Sequence, residues 1–166
     1  FNEDVQTDYA ELWKALPCYS MTTPSAFLPL FENEQMLAQP GADFHYSNSG
    51  FILLGLVIEE VTGQDFRDVI AERVFQPCGM TRSGYFAMDA LPENTANGYV
   101  SHGESGWRTN IYSVSSIGAP DGGAFTTIGD LRLLWTSLLA GRVLSKEMVE
   151  RFLSPSVQVK ERDESW

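Results

Sequence analysis

The chain has 166 residues, 43% of them hydrophobic and 20% charged, enough for one domain with a core of its own. Its formal charge of −11 argues against nucleic acid and anionic membrane surfaces as partners, because both need clustered Lys and Arg. The longest apolar run, Phe51 to Ile58, is too short to cross a bilayer, nothing resembles a signal peptide, and Cys18 and Cys78 lack the spacing of a zinc site.

In chain order, the pattern predicts a mainly helical fold. A first helix over Thr7–Leu16 places Tyr9, Leu12, Trp13 and Leu16 on one face, with Pro17 as its stop. Thr23-Pro24 opens a short helix through Phe31, shortened or kinked by Pro29 inside it. A third helix follows Tyr46-Ser47-Asn48 and ends at Gly63; it is apolar nearly all round before Glu59-Glu60, which predicts central burial. A fourth runs from Asp65 to Phe75 with Phe66, Val69, Ile70 and Val74 as its stripe and Pro77 as its close.

From Gly84 to Asn110 the composition turns to Gly, Asn, Pro and Ser among aromatics. Gly98-Tyr99-Val100 and Trp107-Arg108-Thr109 predict a β-hairpin around a polar loop. Thr127 with Asp130 predicts a capping pair for a helix carrying Leu131, Leu134, Trp135, Leu138 and Leu139, ended by Gly141. A last helix spans Ser145–Leu153. No internal repeat or low-complexity block interrupts the chain, so residues 1–166 are expected to form a single unit.

Chemistry concentrates at Tyr46 and Asn48. A phenol and an amide fixed where a loop becomes a helix can handle protons and orient a polar substrate. The competing reading is a plain helix N-cap, for which Ser and Asn are both suited. His102-Gly103-Glu104-Ser105-Gly106 holds His, Glu and Ser in a row, but a triad assembles from distant segments, and these residues read as a hairpin loop. His45 is expected to pack at the helix entrance. Trp107, Tyr99 and Tyr112, in the loop-rich part, stay open to a substrate-facing role.

The flanks of the Tyr motif, PGADFHYSNSGFILLGLVIEEVTG and then FRDVIAERVFQPCGMTRSGY, resemble the penicillin-recognising serine hydrolases. That family takes in class C-type β-lactamases, D-alanyl-D-alanine carboxypeptidases and related esterases. The likeness resumes at Asp121-Gly122-Gly123-Ala124-Phe125-Thr126-Thr127-Ile128-Gly129-Asp130, which looks like a GG-x-x-x-T-x-x-D segment. It implies the helical region of an α/β serine β-lactamase/transpeptidase-like fold and no cofactor. It also implies that Tyr46 moves a proton between nucleophile and leaving group, and that Asn48 contacts a lysine and the substrate amide. Gly122 and Gly123 would lie on the cleft rim as secondary substrate-binding positions, with positive φ and close approach of another segment. The substrate would be a β-lactam, a D-Ala-D-Ala peptide or a small ester, cleaved through an acyl-enzyme.

Two of the family's motifs are absent from the sequence. No serine stands three residues before Lys14, Lys146 or Lys160, and neither Lys-Thr-Gly nor His-x-Gly occurs. A phenol is a useful base at neutral pH only beside cations, and Pro40–Gly63 contains neither Lys nor Arg. The expectation is therefore the helical middle of a larger enzyme, inactive alone, with an uncovered apolar face that favours self-association or marginal stability. The alternative from another class is an acidic helical module that binds a protein and catalyses nothing.

Overall fold

The computed structural model describes residues 16–42 and 44–157. The predicted Thr7–Leu16 helix lies outside them except for its last residue. Two 3-10 helices come first, Cys18–Ser20 and Pro24–Leu30. The second has Pro24 at its start, where the N–H would be unpaired anyway, and Pro29 inside.

Helix α1 spans Asn48–Thr62 and ends on Gly63 in the left-handed conformation, φ 68°. Only Ser49, Ile52 and Gly55 on it are buried. Ile52 joins Met21, Phe27 and Ala119 in the core cluster, against which Leu56 packs. Phe51, Leu53, Leu54, Val57 and Val61 are exposed, so the expected central burial is corrected: the described fold covers one face of α1 and leaves the other bare.

Gly55 is where the covered face meets its neighbour most closely. An added β-carbon would collide with Pro120 Cγ and sit 2.7 Å from Pro120 Cβ. Gly55→Ala is thus expected to lose up to about 2 kcal/mol in thermal melts. Displacing a proline ring costs about 1–3 kcal/mol, more than the roughly 1 kcal/mol that alanine gains in a helix interior. A more stable variant would show that the Pro120 turn does not seat on α1.

Helix α2 begins as Phe66–Ile70, widens into a π turn over Ala71–Phe75 and finishes as Gln76–Cys78. Pro77 therefore does not close it, contrary to expectation; Gly79, at φ 73°, does. In a regular α-helix the Pro77 ring would meet the carbonyl four residues back, and the wider turn relieves this, with the Gln76 N–H donating to Ala71 O instead. Phe66 meets Tyr85 edge to face and Phe75 stacks on it, at ring-centroid distances of 5.2 and 6.3 Å.

The hairpin forms where it is predicted, β1 Tyr99–Ser101 pairing antiparallel with β2 Trp107–Thr109, Val100 opposite Arg108. Its loop folds as a 3-10 turn over Gly103–Ser105, so His102, Glu104 and Ser105 cap a hairpin. Tyr99, Trp107 and Tyr112 are all exposed. Helix α3, Ile128–Leu139, and helix α4, Lys146–Leu153, follow. Serine caps α4, Ser145 Oγ accepting from Met148 N–H at 3.2 Å. Both cysteines are free, Cys78 buried and Cys18 half-buried.

Thr127 caps α3, its Oγ1 accepting from the Asp130 N–H at 3.2 Å. The reciprocal half of the capping pair is not used that way. Asp130 is buried, and its Oδ2 accepts from Arg82 N–H at 2.8 Å and Ser83 Oγ at 2.7 Å, tying α3 to the segment after α2. Because one oxygen receives both bonds, Asp130→Asn is expected to cost under about 1 kcal/mol and Asp130→Ala about 2–3 kcal/mol in urea melts. Equal losses would mean that the charge, not the acceptor, holds the junction.

Candidate functional site

Pro40-Gly41 turns the chain toward Phe44, His45 and Tyr46, which all lie exposed on the approach to α1. His45 does not pack at the helix entrance as expected. Ser47 has extended backbone, φ −148° and ψ 110°, and its Oγ accepts the Gly50 N–H at 3.0 Å. Ser47 is thus the N-cap, and it supplies the acceptor that the first turn of a helix needs.

That assignment releases Asn48. Its carboxamide is not spent on capping; Oδ1 accepts from the Tyr46 hydroxyl at 3.0 Å. The Tyr46 ring leans on Phe51 at 6.2 Å between centroids, and the residue is 54% exposed. Phenol and amide therefore stand side by side at the rigid start of α1, one open to solvent and the other half-buried. The pair offers a proton donor or acceptor next to an amide whose donors have no partner among the described residues.

The Gly122-Gly123 segment belongs to a tight turn in which Ala119 and Gly122 exchange N–H···O bonds of 2.8 and 3.0 Å. Gly123 fits its expectation: φ is 91° and an added β-carbon would lie 2.7 Å from Gly118 Cα. Gly122 does not, since its φ is ordinary and the space beside it is open. The turn meets α1 at Gly55, seven residues and about 10 Å along the axis from Asn48, so the structure places it farther down the same helix. After it, Phe125 and Gly84 exchange backbone bonds of 2.8 and 3.0 Å.

Arg67 carries no sequence motif, yet it ties three segments together. Its Nε donates to Gly118 O at 2.9 Å, Nη2 to Thr22 O at 2.9 Å and Nη1 to Asp65 Oδ2 at 3.0 Å. A signal does exist: a cation in the first turn of a helix opposes the macrodipole, so a task elsewhere has to hold it there. Burial raises the Tyr85 phenol above its ordinary pKa; the Arg67 charge pulls it back down, and Asp121 adds to the rise. Among the described residues, no cluster of His, Cys, Asp and Glu is arranged to hold a metal ion.

The chain is similar to known proteins in sequence and in fold. A penicillin-binding protein from Bacillus halodurans superposes with a TM-score of 0.88 at 44% identity, over 93% of this chain and 48% of that one. The D-aminopeptidase of Gluconobacter oxydans is 32% identical over 94 residues, 56% of this chain and 17% of its own. The human serine beta-lactamase-like protein LACTB is 27% identical over 114 residues, 69% of this chain and 21% of its own. The chain spans only about a third of the first curated relative that it matches, 34%. The model of the Beta-lactamase family matches residues 6–165, nearly the whole sequence, and the chain belongs to that family.

Proposed function

We propose that the protein carrying this chain is a serine hydrolase that cleaves β-lactams, D-Ala-D-Ala peptides or small esters through an acyl-enzyme. Tyr46 moves the proton between nucleophile and leaving group, and Asn48 holds the substrate amide. The observation that carries this reading is the division of labour at α1: Ser47 does the capping, which leaves Asn48 paired with the Tyr46 hydroxyl at 3.0 Å. Family membership supports the reaction class, and the names D-aminopeptidase and D-stereospecific amidohydrolase among similar proteins agree with amide cleavage.

The nucleophilic serine and its lysine lie outside these residues, because no Ser-x-x-Lys occurs among them. They would supply the cation that makes a phenol useful as a base. The bare apolar stripe of α1, Phe51, Leu54, Val57 and Val61, is the face against which that remaining part packs. Left alone, the 166-residue chain would self-associate through it or be only marginally stable.

Incubation with a fluorescent penicillin, followed by intact-mass measurement, tests the proposal. The whole protein should acquire one acyl group, and the 166-residue chain none. An adduct on a serine of this chain would overturn the placement of the nucleophile, and inertness of the whole protein toward penicillin, ester and D-Ala-D-Ala peptide would overturn the reaction.

A further inference from the structure

Of the six asparagines in the chain, only Asn97 is followed by glycine. Asn97-Gly98 lies in the irregular stretch before β1, and Asn97 is exposed. Among the described residues no hydrogen bond holds the Asn97 carboxamide, and the Gly98 N–H donates to no acceptor. Both groups needed for attack of the backbone on the side chain are therefore free, and glycine puts no Cβ in the way.

Gly98 is also fixed by its neighbour. The half-buried Asn110 donates its backbone N–H to Gly98 O at 3.0 Å. Its carboxamide fills the space beside Gly98, where an added β-carbon would lie 2.5 Å from Nδ2 and 2.7 Å from Cγ. Packing against Asn110 thus disfavours a side chain at position 98, and a labile pair stands at the entrance to the hairpin. Asp121-Gly122, a second pair able to close the same ring, is built the other way. Its Gly122 N–H donates to Ala119 O at 3.0 Å inside the tight turn, and Asp121 is half-buried.

We propose that Asn97 is a site of spontaneous deamidation, in which Gly98 N attacks the carboxamide and turns the residue into aspartate or isoaspartate. Deprotonated Gly98 N bonds to Asn97 Cγ, the Cγ–Nδ2 bond breaks, and ammonia leaves with a proton from water. Water then opens the five-membered imide. Cleavage between N and Cγ gives aspartate; cleavage between N and the main-chain carbonyl gives isoaspartate. Either product adds a carboxylate to a chain of formal charge −11. Isoaspartate also adds a methylene to the backbone beside Gly98, which displaces the carbonyl that Asn110 N–H meets and loosens the start of β1. The reaction needs only water and holds whether or not the protein is a hydrolase.

The test is incubation of the whole protein at two pH values one unit apart, folded and in urea, followed by peptide mapping with mass spectrometry. The peptide holding Asn97 should become about one dalton heavier, as amide gives way to acid, and separate into aspartate and isoaspartate forms. Conversion should be about tenfold faster at the higher pH, because the attacking nitrogen must lose its proton. In the folded protein it should run within about tenfold of the rate in urea, since the loop leaves both groups free. Asn97→Gln should abolish the gain, because the larger ring closes far more slowly. In the isoaspartate form, isolated by anion exchange, Asn110 N–H should exchange with deuterium at least about tenfold faster. No gain at this peptide, a gain untouched by Asn97→Gln, or conversion seen only in urea would each overturn the site. Unchanged exchange at Asn110 would overturn the loosening of β1.

Discussion

Tyr46→Phe in the whole protein is expected to lower kcat about a hundredfold or more while KM changes little. Loss of a positioned proton-transfer group typically costs 10²–10⁴-fold, roughly 3–5 kcal/mol of barrier. The fold should not notice, because the hydroxyl is exposed and its bond to Asn48 Oδ1 is a surface contact worth about 0.5–1.5 kcal/mol at most. Steady-state kinetics beside a thermal melt decide the matter. A drop in kcat with an unchanged melting temperature assigns the phenol to chemistry. A rise in KM alone would make it a substrate contact, because uniform binding alters KM and not turnover. Unchanged kinetics would remove Tyr46 from the mechanism.

The candidate site stands out in the sequence because it coincides with a change of local structure. A Pro-Gly turn giving way to helical apolar periodicity locates the start of α1, and only a few polar residues stand there. What the sequence left open was which of Ser47 and Asn48 caps the helix; backbone geometry decides it, since Ser47 has extended φ and ψ and reaches the Gly50 N–H. Helix ends at Gly63 and Gly141 and the hairpin around residues 102–106 were legible for the same local reasons.

Features set by distant contacts were not. The run Phe51–Ile58 predicts burial on both faces, but burial depends on what stands opposite, and among the described residues the cluster of Met21, Phe27 and Ala119, with Pro120, covers one side of the helix. Pro77 looks like a stop because its ring clashes with the carbonyl of a preceding turn; a π turn removes the clash, and no periodicity announces it. Asp130 looks like half of a capping box, yet its carboxylate crosses to Arg82 and Ser83, 48 and 47 residues away.

Arg67 is the strongest case of such hidden wiring, and its removal should be the largest loss of stability. Arg67→Ala is expected to cost about 3 kcal/mol, since bonds from a charged donor are worth about 1.5–3 kcal/mol each and neighbours do not add fully. The carbonyls of Thr22 and Gly118 dominate that figure. The pair with Asp65 contributes little, because its carboxylate is 40% exposed. For a chain of this size the melting temperature should fall by about 6–12 °C. Arg67→Lys should recover less than half of the loss: a single ammonium cannot span two carbonyls and a carboxylate, which the planar guanidinium reaches with three nitrogens. Alkaline titration gives an independent reading. Without the Arg67 charge, Tyr85 loses the influence that lowers its pKa, so its phenolate absorbance should appear at higher pH than in the parent protein. Full recovery by lysine would mean that the charge matters and the fork does not, and the clamp between the Thr22 loop, α2 and the Gly118 turn would have to be given up.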